Sequence, residues 1–485
     1  MRPGQRVSHP AFGTGIVSAV NLVGLQQRAN VDFGYTQAWI VLDALRVLPD
    51  EGGSAPPPAP ALDTPSGPSQ PDQDSGEALG ASADEAVWST TPTLTKSQTE
   101  ARKGIVALRL GQILENQVRQ LSVGAETVQE KLREALTRAL GGKPTFVMID
   151  GAWGGGKTHA LTLLHALARE AHMASGGAVM DGEAVTLSEP MRLMEAILSS
   201  LRIPGGAPGD GLGHLLRVAK IEARSPGLRA RGAHQVADVL DCLPPRVFDD
   251  SEALQCVEDY FSFALSGTQV RTKLHRMGYG AKPLPVLISR GVHERPRGFA
   301  VVLRCWAQTL AAMGARGLLV VLDELDVDYA FSAYPTRASL GLRARRHALL
   351  EQIKGLADHE APLLIAFGSA PAGPDVETEN DAVEDVREAI GAELIHIKVA
   401  NPSEEHLRKL LVKLTSLYET AYPEKALGVP TAQTSALFAG LHAHYRRSPN
   451  PVPRHFVRSA LEAFDLLTVG EKSFADVMRL LEISD

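Results

Sequence analysis

Two stretches of this chain carry side chains whose types and spacing suit phosphate chemistry. The first is Gly151-Ala-Trp-Gly-Gly-Gly-Lys-Thr158, preceded by the short apolar run Thr145-Phe-Val-Met-Ile-Asp150 and followed by a helical pattern through about His172. Strand, glycine loop and helix in that order are the setting in which G-x-x-x-x-G-K-T holds a polyphosphate. Gly151, Gly154, Gly155 and Gly156 let the backbone curl with its N–H groups inward, and the positive end of the following helix faces the same space. Lys157 would neutralise the β and γ phosphates, and the Thr158 hydroxyl would ligate Mg2+, a cation that prefers hard oxygen ligands. Trp153 either lies over the nucleotide or caps the loop. The second stretch is Gly317-Leu-Leu-Val-Val-Leu-Asp-Glu324, an uninterrupted apolar run ending in two carboxylates, as a buried central parallel strand would. Asp323 is placed to hold the Mg2+ through its shell and Glu324 to polarise an attacking water. Asp326 and Asp328, just beyond, are read as solvated.

Further along, Pro362-Leu-Leu-Ile-Ala-Phe-Gly-Ser369 reads as a third strand, after a helix with core positions Leu349, Leu350, Ile353 and Leu356. A fourth run, Leu394-Ile-His-Ile-Lys-Val399, precedes Asn401-Pro-Ser-Glu-Glu405, where the serine caps the next helix and a glutamate closes the box. The remainder is helical and contains Pro451-Val-Pro-Arg-His-Phe-Val-Arg458. This order of motifs resembles the AAA+ ATPases of the origin-recognition and STAND type, with Gly317–Glu324 looking like a Walker B strand. The resemblance implies that Ser369 takes the sensor 1 position, bonding the γ-phosphate or the lytic water, unless it merely ends a strand. It implies that Arg454 reaches the γ-phosphate from a helical lid as sensor 2, with Arg458 a surface charge. Arg387, in Asp381-Ala-Val-Glu-Asp-Val-Arg-Glu-Ala-Ile390, is either an arginine finger for a neighbouring subunit or an exposed helical arginine among acids; a finger requires an oligomer.

The elements that must position these groups are legible in outline. The 485 residues are 44% hydrophobic and 22% charged, an ordinary globular balance, and the net charge of −7 gives no global basic field. Three cysteines, Cys242, Cys256 and Cys305, sit too far apart for a disulfide framework or a zinc module and read as reduced thiols of a cytoplasmic protein. Neither a secretory h-region nor a membrane-spanning run is expected. Residues 1–49 alternate apolar and polar positions between glycine turns, and Gly4-Gln-Arg-Val-Ser-His-Pro-Ala-Phe-Gly-Thr-Gly-Ile-Val-Ser resembles an SH3- or Tudor-like barrel, which docks a protein or nucleic acid or simply caps the chain. Residues 50–95 turn to Pro, Ser, Gly, Ala and Asp, the composition of a flexible acidic tether. Helical patterning starts near Gln98 and recurs over Ala125–Leu140. The expected fold is α/β: a small N-terminal all-β barrel, then over 96–402 a P-loop parallel sheet of AAA+, origin-recognition-like type with a helical insertion at about 190–310, then a helical lid over 403–485.

The interval between Thr158 and Asp323 is far longer than a minimal P-loop core needs, so something is inserted. The segments Ala101–Arg109, Ala152–His159, Gly177–Glu183, Leu187–Pro190 and Met194–Leu201 resemble the ATP-binding proteins of BREX-type bacteriophage-resistance systems, a likeness spanning roughly 100–460 from which the N-terminal barrel and Trp153 depart. The insertion carries basic clusters, Arg217, Lys220, Arg224, Arg229 and Arg231, then Arg271, Lys273, Arg276, Lys282, Arg290, Arg295 and Arg297, which either track a phosphate backbone or are solvated helical faces. No winged helix is expected after the lid. The resemblance implies a Mg-ATP-dependent ATPase that works on or with DNA and partner proteins in anti-phage defence, as a homo-oligomer without membrane contact. The rival reading is a STAND-like signalling switch that retains nucleotide and turns over slowly. A small-molecule kinase fits less well because the Asp323-Glu324 pair suits water as acceptor, and no [N/T]-K-x-D base-reading motif points to GTP.

Overall fold

The computed structural model describes residues 5–9, 13–23, 26–32, 37–41, 46–47, 94–152, 154–205, 211–223, 227–288, 291, 294–330, 337–370, 381–424, 431–448, 451–468 and 472–483. The chain divides into two units, Met1–Thr90 and Thr91–Asp485. In the first, the alternating residues form β1 (Arg6–His9), β2 (Gly13–Val23), β3 (Gln26–Asp32), β4 (Gln37–Val41) and β5 (Arg46–Val47), paired antiparallel in the order β4-β3-β2-β1-β5. Many turns that a barrel would need, and nearly all of the expected tether, lie outside the described residues, as do Trp153, Arg224 and Arg290.

In the second unit, β6 (Thr145–Asp150), β7 (Ala174–Val179), β8 (Leu318–Asp323), β9 (Leu363–Ser369) and β10 (Leu394–Lys398) form a parallel sheet ordered β10-β6-β9-β8-β7. The glycine-loop strand and the acid-ended strand are therefore not neighbours. Ser369 pairs in register with Asp150, and Leu322 with Phe367, so the polar ends of three strands finish at one edge, where open α/β sheets bind ligands.

Successive strand residues point to opposite faces, and both faces are covered, which is why the strands read as unbroken apolar runs. Val147, Ile149, Leu319, Val321, Leu364 and Ala366 pack with the helices Glu126–Leu140 and Lys157–Glu170. Phe146, Met148, Val320, Leu322, Ile365 and Phe367 belong to a second core that continues into the inserted helices, where Phe261 meets Trp306 edge-on at 5.0 Å. The insertion is thus a continuation of one sheet face. Its last helix, Arg295–Ala312, feeds directly into β8.

β7 has the sequence Ala-Ser-Gly-Gly-Ala-Val, which lacks a strand's apolar signature and was not expected from the sequence. Its glycines permit close approach: a Cβ on Gly176 would sit 2.6 Å from the Ile197 carbonyl oxygen, and one on Gly177 2.5 Å from that of Val321.

The C-terminal helices Glu404–Ala421, Thr431–Arg447, Pro453–Thr468 and Phe474–Ile483 build a third core around Leu414, Leu441, Phe456 and Phe464. The helix Lys96–Arg109 joins that core through Ala101 and Ile105, capped by a reciprocal Thr95–Gln98 box. Arg109 donates to both carboxylate oxygens of Asp465 at 2.7 and 2.8 Å, and Arg102 Nε to the Ala421 carbonyl at 2.7 Å. Ser403 caps the first lid helix by accepting from the His406 N–H, but the residue three positions on is His406, so no glutamate closes the box.

Candidate nucleotide site

At the end of β6 the backbone turns sharply. Gly154 and Gly156 adopt φ of 76° and 112°, the left-handed region that side chains avoid, and the Gly155 N–H donates to the Ala152 carbonyl at 2.8 Å. Space requires glycine as well as torsion: a Cβ on Gly151 would meet the Val399 carbonyl oxygen at 2.8 Å, and one on Gly154 would meet Val452 at 3.0 Å. Val399 follows β10 and Val452 precedes the lid helix Pro453–Thr468, so elements far apart in sequence close around the loop. The helix Lys157–Glu170 has Gly156 at its cap and no side-chain cap, which leaves its first N–H groups for an anion.

Lys157 is buried, its ammonium donating to the Gly151 carbonyl at 3.1 Å. Desolvation pulls its pKa down, while the facing carboxylates of Asp326, Asp323 and Glu324 push it back up and Arg454 lowers it. The charges that act on this lysine come from the end of β8 and the turn after it, and from the C-terminal helix Pro453–Thr468. Burial pushes the Asp323 carboxyl up, opposed by a 2.8 Å hydrogen bond from the Glu324 N–H and by Lys157. Glu324 is exposed with φ of 59°, an uncommon conformation for a residue with a side chain and one that turns it out of the strand direction. Thr158 is exposed in the first helical turn, and Ser369 is fully buried at the end of β9.

Three expectations need correction or addition. Asp328 is not solvated: it is 5% exposed, ion-paired with Arg346 at 3.3 Å, and accepts the Leu187 N–H at 2.9 Å. Asp326 is half-buried and accepts the Ala370 N–H at 2.7 Å, tying the turn after β8 to the end of β9. Gly368 was missed. A Cβ there would lie 2.4 Å from Asp323 Oδ1, so the carboxylate occupies the space a side chain would take, and a glycine inside an otherwise apolar strand was the available signal.

Arg387 is exposed on the helix Asp381–Ile390, its Nη2 3.4 Å from His396 Nδ1 on β10, and it is not among the charges that act on Lys157. Arg458 is exposed, 3.5 Å from Glu462. Within the insertion, Arg229 pairs with Asp238 and Asp241, Arg231 donates to the Ala311 carbonyl, and Arg295 lies 3.5 Å from Glu189, so these charges are engaged internally. Arg271, Lys273 and Arg276 are exposed along one helix, Gly267–Arg276.

The donor set fits a magnesium nucleotide. Hydroxyl and carboxylate oxygens at Thr158 and Asp323 are the hard ligands that Mg2+ prefers. Residues 97–225 match the family described as BREX system ATP-binding protein BrxC/D. The match takes in the glycine loop and the helix behind it and ends before β8. No curated protein matches the chain. A chain of the E. coli MS115-1 HORMA:CdnC:Trip13 complex is similar at 12% identity, over 76% of this chain and 92% of that one, with a TM-score of 0.39. Among the described residues no helix is long and apolar enough to cross a membrane.

Proposed function

We propose that the chain is a Mg-ATP-dependent AAA+ ATPase of a bacterial anti-phage system, acting with partner proteins and on DNA as a homo-oligomer in the cytoplasm. The observation that carries the ATPase reading is the glycine loop after β6, with Gly154 and Gly156 at positive φ, Lys157 buried against the Gly151 carbonyl, and the charges of Asp326, Asp323, Glu324 and Arg454 acting on that lysine. The likeness of residues 97–225 to BREX ATP-binding proteins supports the defence setting.

Loop N–H groups and the Lys157 ammonium bind the phosphate oxygens and recover the charge partner that burial denies the lysine. Bound magnesium, held by Thr158 and by Asp323 through its water shell, would neutralise charge on the β and γ phosphates. Glu324 accepts the proton of the attacking water, and Ser369 orients that water or the γ-phosphate. Arg454 stabilises the charge that accumulates on the terminal phosphoryl group, and Arg387 of one copy serves the site of the next. The exposed basic side chains Arg271, Lys273 and Arg276 of the helix Gly267–Arg276 support DNA contact.

Steady-state hydrolysis tests this. Lys157→Ala should lose nucleotide binding, and Glu324→Gln should keep binding but lose turnover by roughly a hundredfold or more. Duplex DNA should stimulate the unaltered chain, and no stimulation at any salt concentration removes the DNA part. Tight retention of ATP with negligible turnover under all conditions would favour the STAND-like switch instead.

A further inference from the structure

The helix Lys96–Arg109 ends in a turn whose hydrogen bonds are those of a Schellman cap: the Gly111 N–H donates to the Leu108 carbonyl at 2.9 Å and the Gln112 N–H to that of Ala107 at 2.8 Å. Gly111 has φ of 74°, which by itself accounts for a glycine. The same cap recurs elsewhere. Gly278, after the helix Gly267–Arg276, has φ of 85° and the same pair of bonds, from its own N–H to His275 and from Tyr279 to Leu274. The two differ in what faces the bare Cα. A Cβ on Gly278 would meet nothing within 4 Å, whereas one on Gly111 would lie 2.9 Å from Arg454 Nε and 3.2 Å from its Cδ and Cζ.

Arg454 therefore lies flat against the capping turn. Arg454 stands on the helix Pro453–Thr468, and its side chain lies against a glycine more than 300 positions away in sequence. That glycine is fixed to the lid by the Arg109–Asp465 and Arg102–Ala421 bonds, so the seat and the arginine belong to one packed body. We propose that Gly111 is a positioning residue for Arg454: the missing side chain is the surface along which the guanidinium reaches the charges around Lys157. The proposal rests on the reading of Arg454 as a group that acts on the terminal phosphate. A Cβ at 111 would lie 2.9 Å from Arg454 Nε and 3.2 Å from Cδ and Cζ, so the arginine would have to give by a few tenths of an ångström, and a misplacement on that scale lowers turnover by roughly severalfold to tenfold.

Gly278→Ala provides the matched control, since it carries the same backbone strain without the contact. Gly111→Ala and Gly278→Ala should lower the thermal midpoint similarly. Only Gly111→Ala should also lower kcat for ATP, on the order of tenfold, with ADP affinity unchanged, because Arg454 addresses the γ-phosphate. In an Arg454→Ala background Gly111→Ala should cost no further turnover, the non-additivity expected of two residues acting as one. Gly111→Asn, which tolerates the left-handed backbone but carries a side chain, should behave like Gly111→Ala in turnover while recovering stability. If Arg454→Ala is slow and Gly111→Ala turns over like Gly278→Ala, the seat is refuted and the role of Arg454 survives. If Arg454→Ala hydrolyses ATP like the unaltered chain, the reading of Arg454 falls and takes the proposal with it.

Discussion

Single residues in this site are shaped by charge burial. Lys157 and Asp323 are pushed in opposite directions by desolvation, each toward its neutral form, and each is partly restored by the other. A phosphate anion beside Lys157 and a cation beside Asp323 would each favour the charged form that burial opposes. The loop helix carries a second consequence of burial. His165 is pulled down to about 4 by desolvation, with the Arg202 charge adding to it, and His159 to about 4 by desolvation alone. Both are depressed below their unfolded value, so the unfolded chain takes up protons first as pH falls. Stability from each is complete above about pH 6.5 and is lost as the pH drops toward 4, up to about 3 kcal/mol for each. His165→Gln should flatten that acid limb in urea titrations run from pH 7 to pH 4, and an unchanged limb would show that His165 titrates normally. At this scale Lys157, Thr158, Asp323 and Glu324 were legible because their motif fixes type and spacing within a few residues. Gly368 and Gly111 were not, because their importance comes from a side chain that belongs to another element.

Elements hold the site through their ends. The short helix Leu325–Ala330 leaves the Asp323-Glu324 pair and is locked by Arg346, which is 1% exposed, donates to the Asp328 carbonyl at 2.9 Å and stacks over the Tyr329 ring at 4.0 Å. Asp328 also accepts the Leu187 N–H, which fixes the segment leading into the insertion. Removing the cation alone would leave a buried carboxylate unpaired, so Arg346→Met should cost about 3–5 kcal/mol in urea unfolding, and Arg346→Met with Asp328→Leu should recover much of it. Equal losses in the single and double variants would show that packing, not charge, dominates there. The strands β6, β8, β9 and β10 were legible as apolar runs, the first with its bounds unchanged. β7 was not, since its glycines serve contacts to Ile197 and Val321 rather than strand propensity. The helical patterning that starts near Gln98 hid a break, because Gly111, at φ of 74°, turns the chain between the helices Lys96–Arg109 and Glu115–Leu121.

For the whole molecule, the sheet separates two cores, one with the helices next to the loop and one continuous with the insertion. The first helix after the expected tether packs with the lid. Any displacement of the C-terminal helices would therefore reach that helix through shared packing. Arg387 is exposed beside β10, and its proposed role in the site of a second copy requires an assembly. Mass measurement with a slowly hydrolysed ATP analogue should show a larger assembly than without it, and Arg387→Ala should assemble normally while losing turnover by roughly a hundredfold. An unassembled chain that hydrolyses ATP at the full rate would remove the trans role of Arg387.

The sequence by itself marked the glycine loop between a strand and a helix, the two carboxylates at the end of β8, the core strands as apolar runs, the long interval between Thr158 and Asp323, and a helical C-terminal part. These follow from local rules: backbone torsion, hydrophobic period and donor type act within a few residues. Only the tertiary structure decided that β9 lies between the loop strand and the acid strand, that Asp328 is buried against Arg346, that Val399 and Val452 close on the loop glycines, and that Gly111 supports Arg454. Each of these is a contact between distant segments, and the free energy that selects it comes from excluding water and filling space together, which no single segment encodes.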